Sequence, residues 1–98
     1  MIFYIVKTIR VEEIDGDEIW NDSSDAIYIE SQTAYDTIRF NYGDLSEQGY
    51  NQYAVVLATT SGLYPTPQEL SWFVWDKEEE KYIPCDRPDF MKGYGLTI

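Results

Sequence analysis

The chemistry open to this 98-residue sequence is carboxylate chemistry, because it contains eighteen Asp and Glu residues and no His. A chain without His lacks the commonest general base and metal ligand and cannot form Ser/His or Cys/His catalytic pairs. The single Cys, Cys85, excludes an internal disulfide and a thiolate zinc site, and its Pro and Asp neighbours favour a structural thiol. The carboxylates could therefore bind a metal ion, catalyse a reaction as a pair, or attract a basic partner.

The carboxylates are concentrated in one part of the chain. Nine of them lie between Val11 and Asp36, and this stretch contains no Lys or Arg. Segments beginning at Asp15 and Asn21 supply oxygens at alternate positions, as a calcium loop does. A helix-loop-helix calcium loop also needs Gly at position six and a carboxylate at position twelve, and neither segment has them. A solvated acidic surface is thus favoured over a metal site, although a looser divalent site stays open.

Two kinds of catalytic site could use the carboxylates. A glycosidase pair, with one acid and one base or nucleophile, sits in a cleft that needs a longer chain. Glu79 and Lys81 resemble half of a common nuclease site, but the Pro88-Asp89 half follows them instead of preceding them. We therefore predict a non-catalytic protein without a cofactor.

The formal net charge of −11 and a pI near 4.1 limit the class of partner. Nucleic acid and anionic membranes are disfavoured as direct ligands, because every phosphate would be repelled. The apolar start over residues 1–6 has no basic residue ahead of it and no cleavage site after it, so it predicts a strand and not a signal peptide. These features predict a cytoplasmic protein.

An acidic segment of this kind could present its charges to a basic groove. Residues two apart in an extended segment lie about 6.6 Å apart on one side, so Glu13, Asp15 and Asp17 are expected to form a row of negative charge. Trp20 lies inside the acidic segment and several Tyr residues follow it, and such side chains are typical interface anchors when exposed. We assign the partner-binding surface to Glu12, Glu13, Asp15, Asp17, Glu18, Trp20, Asp22, Asp25 and Glu30.

Other aromatic residues are expected in the core. Sixteen per cent of the chain is aromatic, which argues against disorder, since disordered acidic chains contain few aromatics. Phe3, Tyr53 and one of Trp72 and Trp75 are predicted to fill the core. A small core cannot bury every aromatic residue that follows the acidic segment, so some of Tyr28, Tyr35, Tyr42, Tyr50 and Tyr64 are expected on the surface.

The elements that position these residues are mainly strands. Alternating, β-branched sequence predicts strands over residues 2–11, 26–30, 52–60, 70–75 and 81–85, with the third in the centre of a sheet. Residues 12–25 are predicted to form a loop, or a hairpin that turns near Asp15-Gly16 and returns over 18–20.

Three parts of the chain need separate predictions. Ile27 and Ile29 are expected to face the core. Residues 32–40 favour a short helix that Ser31 could cap, although Ile38, Phe40 and Tyr42 also alternate as in a strand. The C-terminal segment is expected to wrap irregularly and end in an edge strand over 94–98.

Together these elements predict a β-rich α+β fold, a single domain over residues 1–98 with a mostly antiparallel sheet and one or two short helices.

Three segments carry a resemblance to a known family. The sequence Thr33-Ala34-Tyr35-Asp36, the strand at 55–61 and the Trp-bearing strand that ends at 74–76 resemble the order of elements in phage-encoded uracil-DNA glycosylase inhibitors. The resemblance covers about the middle half of the chain, while the N-terminal strand differs from the helical start of that family. It implies a compact acidic DNA mimic, similar in size and acidity to small phage inhibitors that include anti-CRISPR proteins. The resemblance assigns no functional residue of that family to a position in this sequence.

The sequence therefore predicts a stoichiometric inhibitor of a nucleic-acid-binding enzyme, with residues 12–30 presented to a basic groove. Its target would be a CRISPR effector, a restriction enzyme or a repair glycosylase. Two alternatives stay open, namely an immunity protein that neutralises a basic nuclease toxin and a small carboxylate-based metal-binding domain.

Overall fold

The computed structural model describes residues 1–62 and 66–97, which form one antiparallel sheet covered on both faces. Its five strands are β1 (Ile2–Ile14), β2 (Asp17–Tyr28), β3 (Tyr53–Thr60), β4 (Gln68–Asp76) and β5 (Lys81–Cys85). They lie in the order β2-β1-β3-β4-β5. One α-helix, α1 (Ser31–Arg39), and two 3-10 turns at Tyr42–Asp44 and Asp89–Met91 complete the fold. The prediction of a β-rich α+β fold is confirmed.

The two longest strands, β1 and β2, form a hairpin with a two-residue turn at Asp15-Gly16. Both turn residues have positive φ, 53° and 84°, as a tight hairpin between right-twisted strands requires. The hairpin prediction is confirmed, but β2 is one strand from Asp17 to Tyr28. It joins the predicted return over 18–20 to most of the strand predicted over 26–30, so the loop expected between them is wrong. β2 has a bulge at Asp25, which is not opposite any residue of β1 in the strand register. Its neighbours are, since Val6 pairs with Ala26 and Lys7 with Ser24.

One face of the sheet, here called the helix face, is covered by α1. Ala34 and Ile38 of α1 are fully buried against Val6, Val56 and other strand residues. The helix prediction for residues 32–40 is confirmed, but the cap position is Glu30 and not Ser31. After α1 the chain turns sharply at Asn41, which has a left-handed φ of 50°.

The loop between α1 and β3 is fixed by Asn51. Its side chain donates to the Leu45 carbonyl at 2.8 Å and accepts from Arg10 Nε at 3.2 Å, while its carbonyl accepts from the Tyr82 hydroxyl at 2.6 Å. Burial raises the pKa of Tyr82, and the nearby carboxylates of Asp25 and Asp44 add to this effect, so the hydroxyl stays a donor. The loop is therefore tied to β1 and β5.

The other face, here called the tail face, is covered by the C-terminal segment, residues 86–97. Met91 of this segment packs on a cluster that includes Ile5, Ile9, Leu57 and Trp72. The expected edge strand over 94–98 is wrong for the described residues 94–97, which form no strand; Ile98 lies outside the described part.

Arg87 gives the physical reason for the missing edge strand. Its guanidinium donates to the carbonyls of Met91 at 2.7 Å and Tyr94 at 2.6 Å, which folds the segment back on itself. The same guanidinium pairs with Glu69 at 2.8 Å. Burial raises the pKa of Glu69, but hydrogen bonds from Arg87 and Trp72 outweigh it, and the net pKa lies below the ordinary value.

The prediction that Ile27 and Ile29 face the core is wrong. Their side chains are 61 % and 66 % exposed. Ala26 and Tyr28 pack under α1 instead, since β1 pairs Val6 with Ala26 on the helix face. Ile27 consequently points to the tail face at the outer strand of the sheet.

Candidate partner-binding surface

The candidate site is an arm formed by the outer part of the β1–β2 hairpin. The last residue of β1 that pairs with β3 is Ile9, which lies opposite Tyr53. Residues 10–21, here called the acidic arm, therefore extend past the start of β3 as a two-stranded ribbon. From Ile9 to Ile14 this extension spans roughly 17 Å. The arm thus projects from one end of the sheet.

Five exposed carboxylates belong to the acidic arm, namely Glu12, Glu13, Asp15, Asp17 and Glu18. Within the part of the chain that the structure describes, none of them forms an ion pair with Lys or Arg. One weak hydrogen bond reaches Glu12, from the Asn21 side chain at 3.4 Å. The arm therefore carries its negative charge almost entirely uncompensated.

The predicted row of Glu13, Asp15 and Asp17 on one side is wrong. The turn separates these residues, because Asp15 occupies it while Asp17 begins the return strand opposite Ile14. Glu13 instead lies opposite Glu18, and directly paired residues share one face of a ribbon. Negative charge therefore surrounds the arm, with Glu13 and Glu18 on the tail face, Glu12 and Asp17 on the helix face, and Asp15 at the tip.

The base of the arm is fixed on both faces. On the helix face Arg10 forms an ion pair with Glu47 of the loop before β3. On the tail face the ring of Trp20 stacks on Phe90, with ring centroids 3.4 Å apart and planes 11° apart. The arm is thus held in one orientation before any partner arrives.

Trp20 differs from the exposed anchor expected from the sequence. Its side chain is half-buried against the tail-face core, where it also lies 5.9 Å from the Tyr53 ring. The exposed apolar side chains of the arm are Ile14 and Ile19, at 49 % and 39 %. Register assigns both to the helix face, between Glu12 and Asp17. Sequence reasoning missed them, because alternation alone does not reveal that α1 ends short of this part of the hairpin.

The remaining assigned residues are not part of the arm. Asp22 pairs with Lys7 Nζ at 2.9 Å, and Asp25 accepts a hydrogen bond from Thr8 at 2.6 Å. Glu30 follows the opposite end of β2, roughly 36 Å from the start of that strand. The structure therefore brings five of the eight assigned carboxylates together and leaves Glu30 apart.

The aromatic predictions are only partly confirmed. Some of the listed tyrosines are exposed, as expected, namely Tyr42 and Tyr50, whereas Tyr28 and Tyr35 are half-buried against the helix-face core. Tyr94, for which the sequence gives no prediction, is also exposed. Tyr64 lies outside the described residues. Phe3 and Tyr53 are half-buried, and both Trp72 and Trp75 pack against the core, on opposite faces of the sheet.

A second acidic segment joins the arm at the same end of the sheet. Val74 lies opposite Tyr53, so the turn over residues 77–80 projects beyond β3 in the same direction as the arm. Glu78 and Glu80 are exposed there, and Glu79 pairs with Lys81 at 2.8 Å. A cavity of about 740 Å³ at this end of the sheet is lined mainly by the loop before β3, with Val11 of the arm and Lys77 and Glu80 of the turn at its sides. Strand topology, which the sequence alone does not reveal, brings the two acidic segments to one end.

The described residues do not favour a metal site, a nucleophilic thiolate or a membrane-spanning helix. Residues 1–62 and 66–97 contain no group of three or more Asp, Glu or Cys side chains that could hold a metal ion. Burial raises the pKa of the Cys85 thiol, and Asp86 adds to this effect, which disfavours a thiolate nucleophile. Within the same residues, every helix is too short or too polar to cross a membrane.

Comparisons with known proteins returned no match to a family model, to a curated protein or to a solved structure. The resemblance to phage-encoded inhibitors therefore stays a prediction from sequence.

Proposed function

We propose that this protein is a non-catalytic, stoichiometric inhibitor of a nucleic-acid-binding enzyme. In this proposal the acidic arm occupies the basic groove that otherwise holds nucleic acid. The observation that carries the proposal is the set of five exposed carboxylates around a two-stranded arm, without an ion-pair partner in the described chain. A phage or mobile-element anti-defence protein of the anti-CRISPR or DNA-mimic type, acting in the host cytoplasm, fits this description.

Charge on every side of the arm suits insertion between two basic walls. A flat partner would contact one face and leave half of the charge in water. A groove lined by Lys and Arg on both sides can pair with Glu12 and Asp17 on one wall and with Glu13 and Glu18 on the other. Nucleic-acid-binding grooves have such walls, because they contact phosphates on both strands.

The physical chemistry of the arm favours fast and specific association. Uncompensated charge attracts a basic groove over a distance of about 8 Å at physiological ionic strength, and it accelerates encounter. Ile14 and Ile19 supply apolar area that slows dissociation once the arm is seated. Because the base of the arm is fixed by Arg10 and Trp20, little conformational entropy is lost on binding.

The proposal is tested by competition with DNA. Fluorescence anisotropy would follow a labelled duplex bound to each of a guide-loaded CRISPR effector, a restriction enzyme and a uracil-DNA glycosylase. We expect the protein to displace the duplex from at least one of them at a one-to-one ratio, with displacement weakening as salt is raised. Failure to displace DNA from the enzymes of an expanded nuclease and glycosylase panel at low salt would refute the proposal.

Two double variants distinguish binding by the arm from a general effect of the negative net charge. The double variant Asp15→Lys and Asp17→Lys should lose displacement by at least tenfold. The double variant Glu30→Lys and Asp86→Lys changes the net charge equally at positions outside the arm, after the end of β2 and after the end of β5, and it should displace DNA as the parent does. Equal losses in both variants would show that the arm has no special role.

A further inference from the structure

A second cavity lies between the acidic arm and the C-terminal segment, on the tail face. Its volume is about 460 Å³, within the 300–1,000 Å³ range typical of small-ligand sites. The aromatic and apolar walls include Trp20, Phe90, Tyr94 and Leu96, and the two carboxylates among the lining residues are Glu18 and Asp22. The cavity thus combines aromatic surface with negative charge.

The two carboxylates of this cavity differ in how they are compensated. Asp22 is paired with Lys7, whose Nζ also donates to Ser24 at 3.1 Å and to the Thr97 carbonyl at 2.6 Å. Glu18 forms no ion pair with any described residue, and the lining residues include no Lys or Arg. One negative charge beside aromatic rings is therefore left for a ligand to neutralise.

We propose that this cavity binds one arginine side chain of the protein partner. The inference rests on the proposed function, since it names the feature of the basic partner that the arm recognises. The Glu18 carboxylate accepts hydrogen bonds from the guanidinium, the exposed Tyr94 ring contacts its planar face, and the apolar walls contact its methylene stem. Arginine is thereby held at the base of the arm while the other carboxylates contact the rest of the groove.

The chemistry of the cavity selects arginine over other cations. A guanidinium is planar, weakly hydrated and stacks on aromatic rings, whereas a lysine ammonium is compact and strongly hydrated. A divalent metal ion needs six or more oxygen ligands for calcium or near-ideal octahedral geometry for magnesium, and one free carboxylate among aromatic rings cannot supply them. A neutral apolar ligand would gain nothing from the charge of the Glu18 carboxylate.

The test uses a small arginine probe and needs no target enzyme. Acetyl-arginine N-methylamide would be titrated into the isotopically labelled full chain and followed by two-dimensional NMR. We expect saturable shifts at the Trp20 indole N–H and at the backbone amides of Tyr94 and Gly95. The citrulline analogue, which replaces the guanidinium with a neutral urea of the same shape, should bind at least tenfold more weakly.

Matched variants decide whether the binding is local. Glu18→Gln should weaken the arginine probe by about tenfold, as expected for loss of a charge-assisted hydrogen bond. Glu79→Gln removes the same charge from the distant β4–β5 turn and should change the affinity by less than twofold. Non-saturating shifts, shifts spread over all acidic segments, or equal effects of the two variants would overturn the proposal.

The outcome is separable from that of the proposed function. Saturable binding at Trp20 without inhibition of any enzyme would retain the arginine site and reject the inhibitor. Inhibition that Glu18→Gln leaves unchanged would retain the inhibitor and reject the cavity as an anchor point.

Discussion

Replacing Glu18 with Lys is expected to stabilise the fold while it weakens binding to a basic groove. Glu13 and Glu18 lie directly opposite each other across the β1–β2 ribbon, and both are exposed. Like charges in this arrangement destabilise an antiparallel pair, whereas opposite charges stabilise it. The substitution therefore converts a repulsive pair into an attractive one, and it makes the charge of the acidic arm two units less negative.

The size of the effect follows from the spacing of the pair. Two unit charges about 6 Å apart in water interact by roughly 0.7 kcal/mol, and the reversal exchanges a repulsion for an attraction of similar size. Side-chain ordering offsets part of this gain, so we expect the free energy of unfolding to rise by about 1 kcal/mol. With an m-value of about 2 kcal/mol/M, the urea midpoint should rise by roughly 0.5 M.

Urea unfolding followed by tryptophan fluorescence measures this shift, and amide hydrogen exchange in the arm shows whether the arm is the part stabilised. In about 1 M salt the Debye length is about 3 Å, so most of the gain should disappear. Glu79→Lys is the matched control: it adds the same positive charge but breaks the pair with Lys81, so it should not stabilise. An unchanged or lower midpoint for Glu18→Lys, or equal gains in both variants, would refute the argument.

Two further predictions concern the buried polar contacts. Lys7 is 4 % exposed and uses its ammonium for three partners, so Lys7→Met should lower the free energy of unfolding by about 2 kcal/mol in thermal or urea unfolding; a loss below about 0.5 kcal/mol would contradict this. The pKa of Glu69 lies below its ordinary value of 4.5 in the folded chain, so its stabilising contribution is complete above that pH and is lost as the pH falls through the folded pKa. The stability difference between the parent and Glu69→Gln should therefore shrink in acid, and a difference that grows below pH 4.5 would exclude this role.

Period-two alternation and an Asp-Gly pair are local signals, so the sequence predicts the hairpin turn and most of the strand residues. It does not predict that β2 continues through residues 21–25, because the Asn, Asp and Ser residues there are typical of turns. The central strand predicted over residues 52–60 is found at Tyr53–Thr60, since both of its faces are apolar. The helix predicted over 32–40 is found at Ser31–Arg39, although the alternating pattern there also favours a strand.

The orientation of side chains at the sheet edge could not be predicted, because it depends on partners far away in the chain. Ala26, Ile27, Tyr28 and Ile29 are all apolar, so alternation does not identify the buried set. The bulge at Asp25 and the pairing with β1 decide it. The position of the C-terminal segment depends in the same way on Arg87, whose carbonyl partners have no sequence signature.

The candidate surface was predicted in composition but not in shape. The exposed carboxylates of residues 12–18 were assigned from sequence, and the turn at Asp15 changed their expected arrangement from a row to a ring around the arm. The sequence does not indicate where the acidic turn over residues 77–80 lies relative to the arm. Its position at the same end of the sheet follows from the antiparallel pairing of β1 and β4 with β3.

The contact between Lys7 and the carbonyl of Thr97 has a consequence for how the molecule folds. These two groups are 90 residues apart in the chain, so during synthesis the Lys7 ammonium can reach this acceptor only after residue 97 has left the ribosome. The pairing of β1 with β3 also joins segments that are distant in sequence. Long-range contacts of this kind slow folding relative to helical proteins of similar size. The arm can close early as a local hairpin, whereas the sheet that holds it in place completes last.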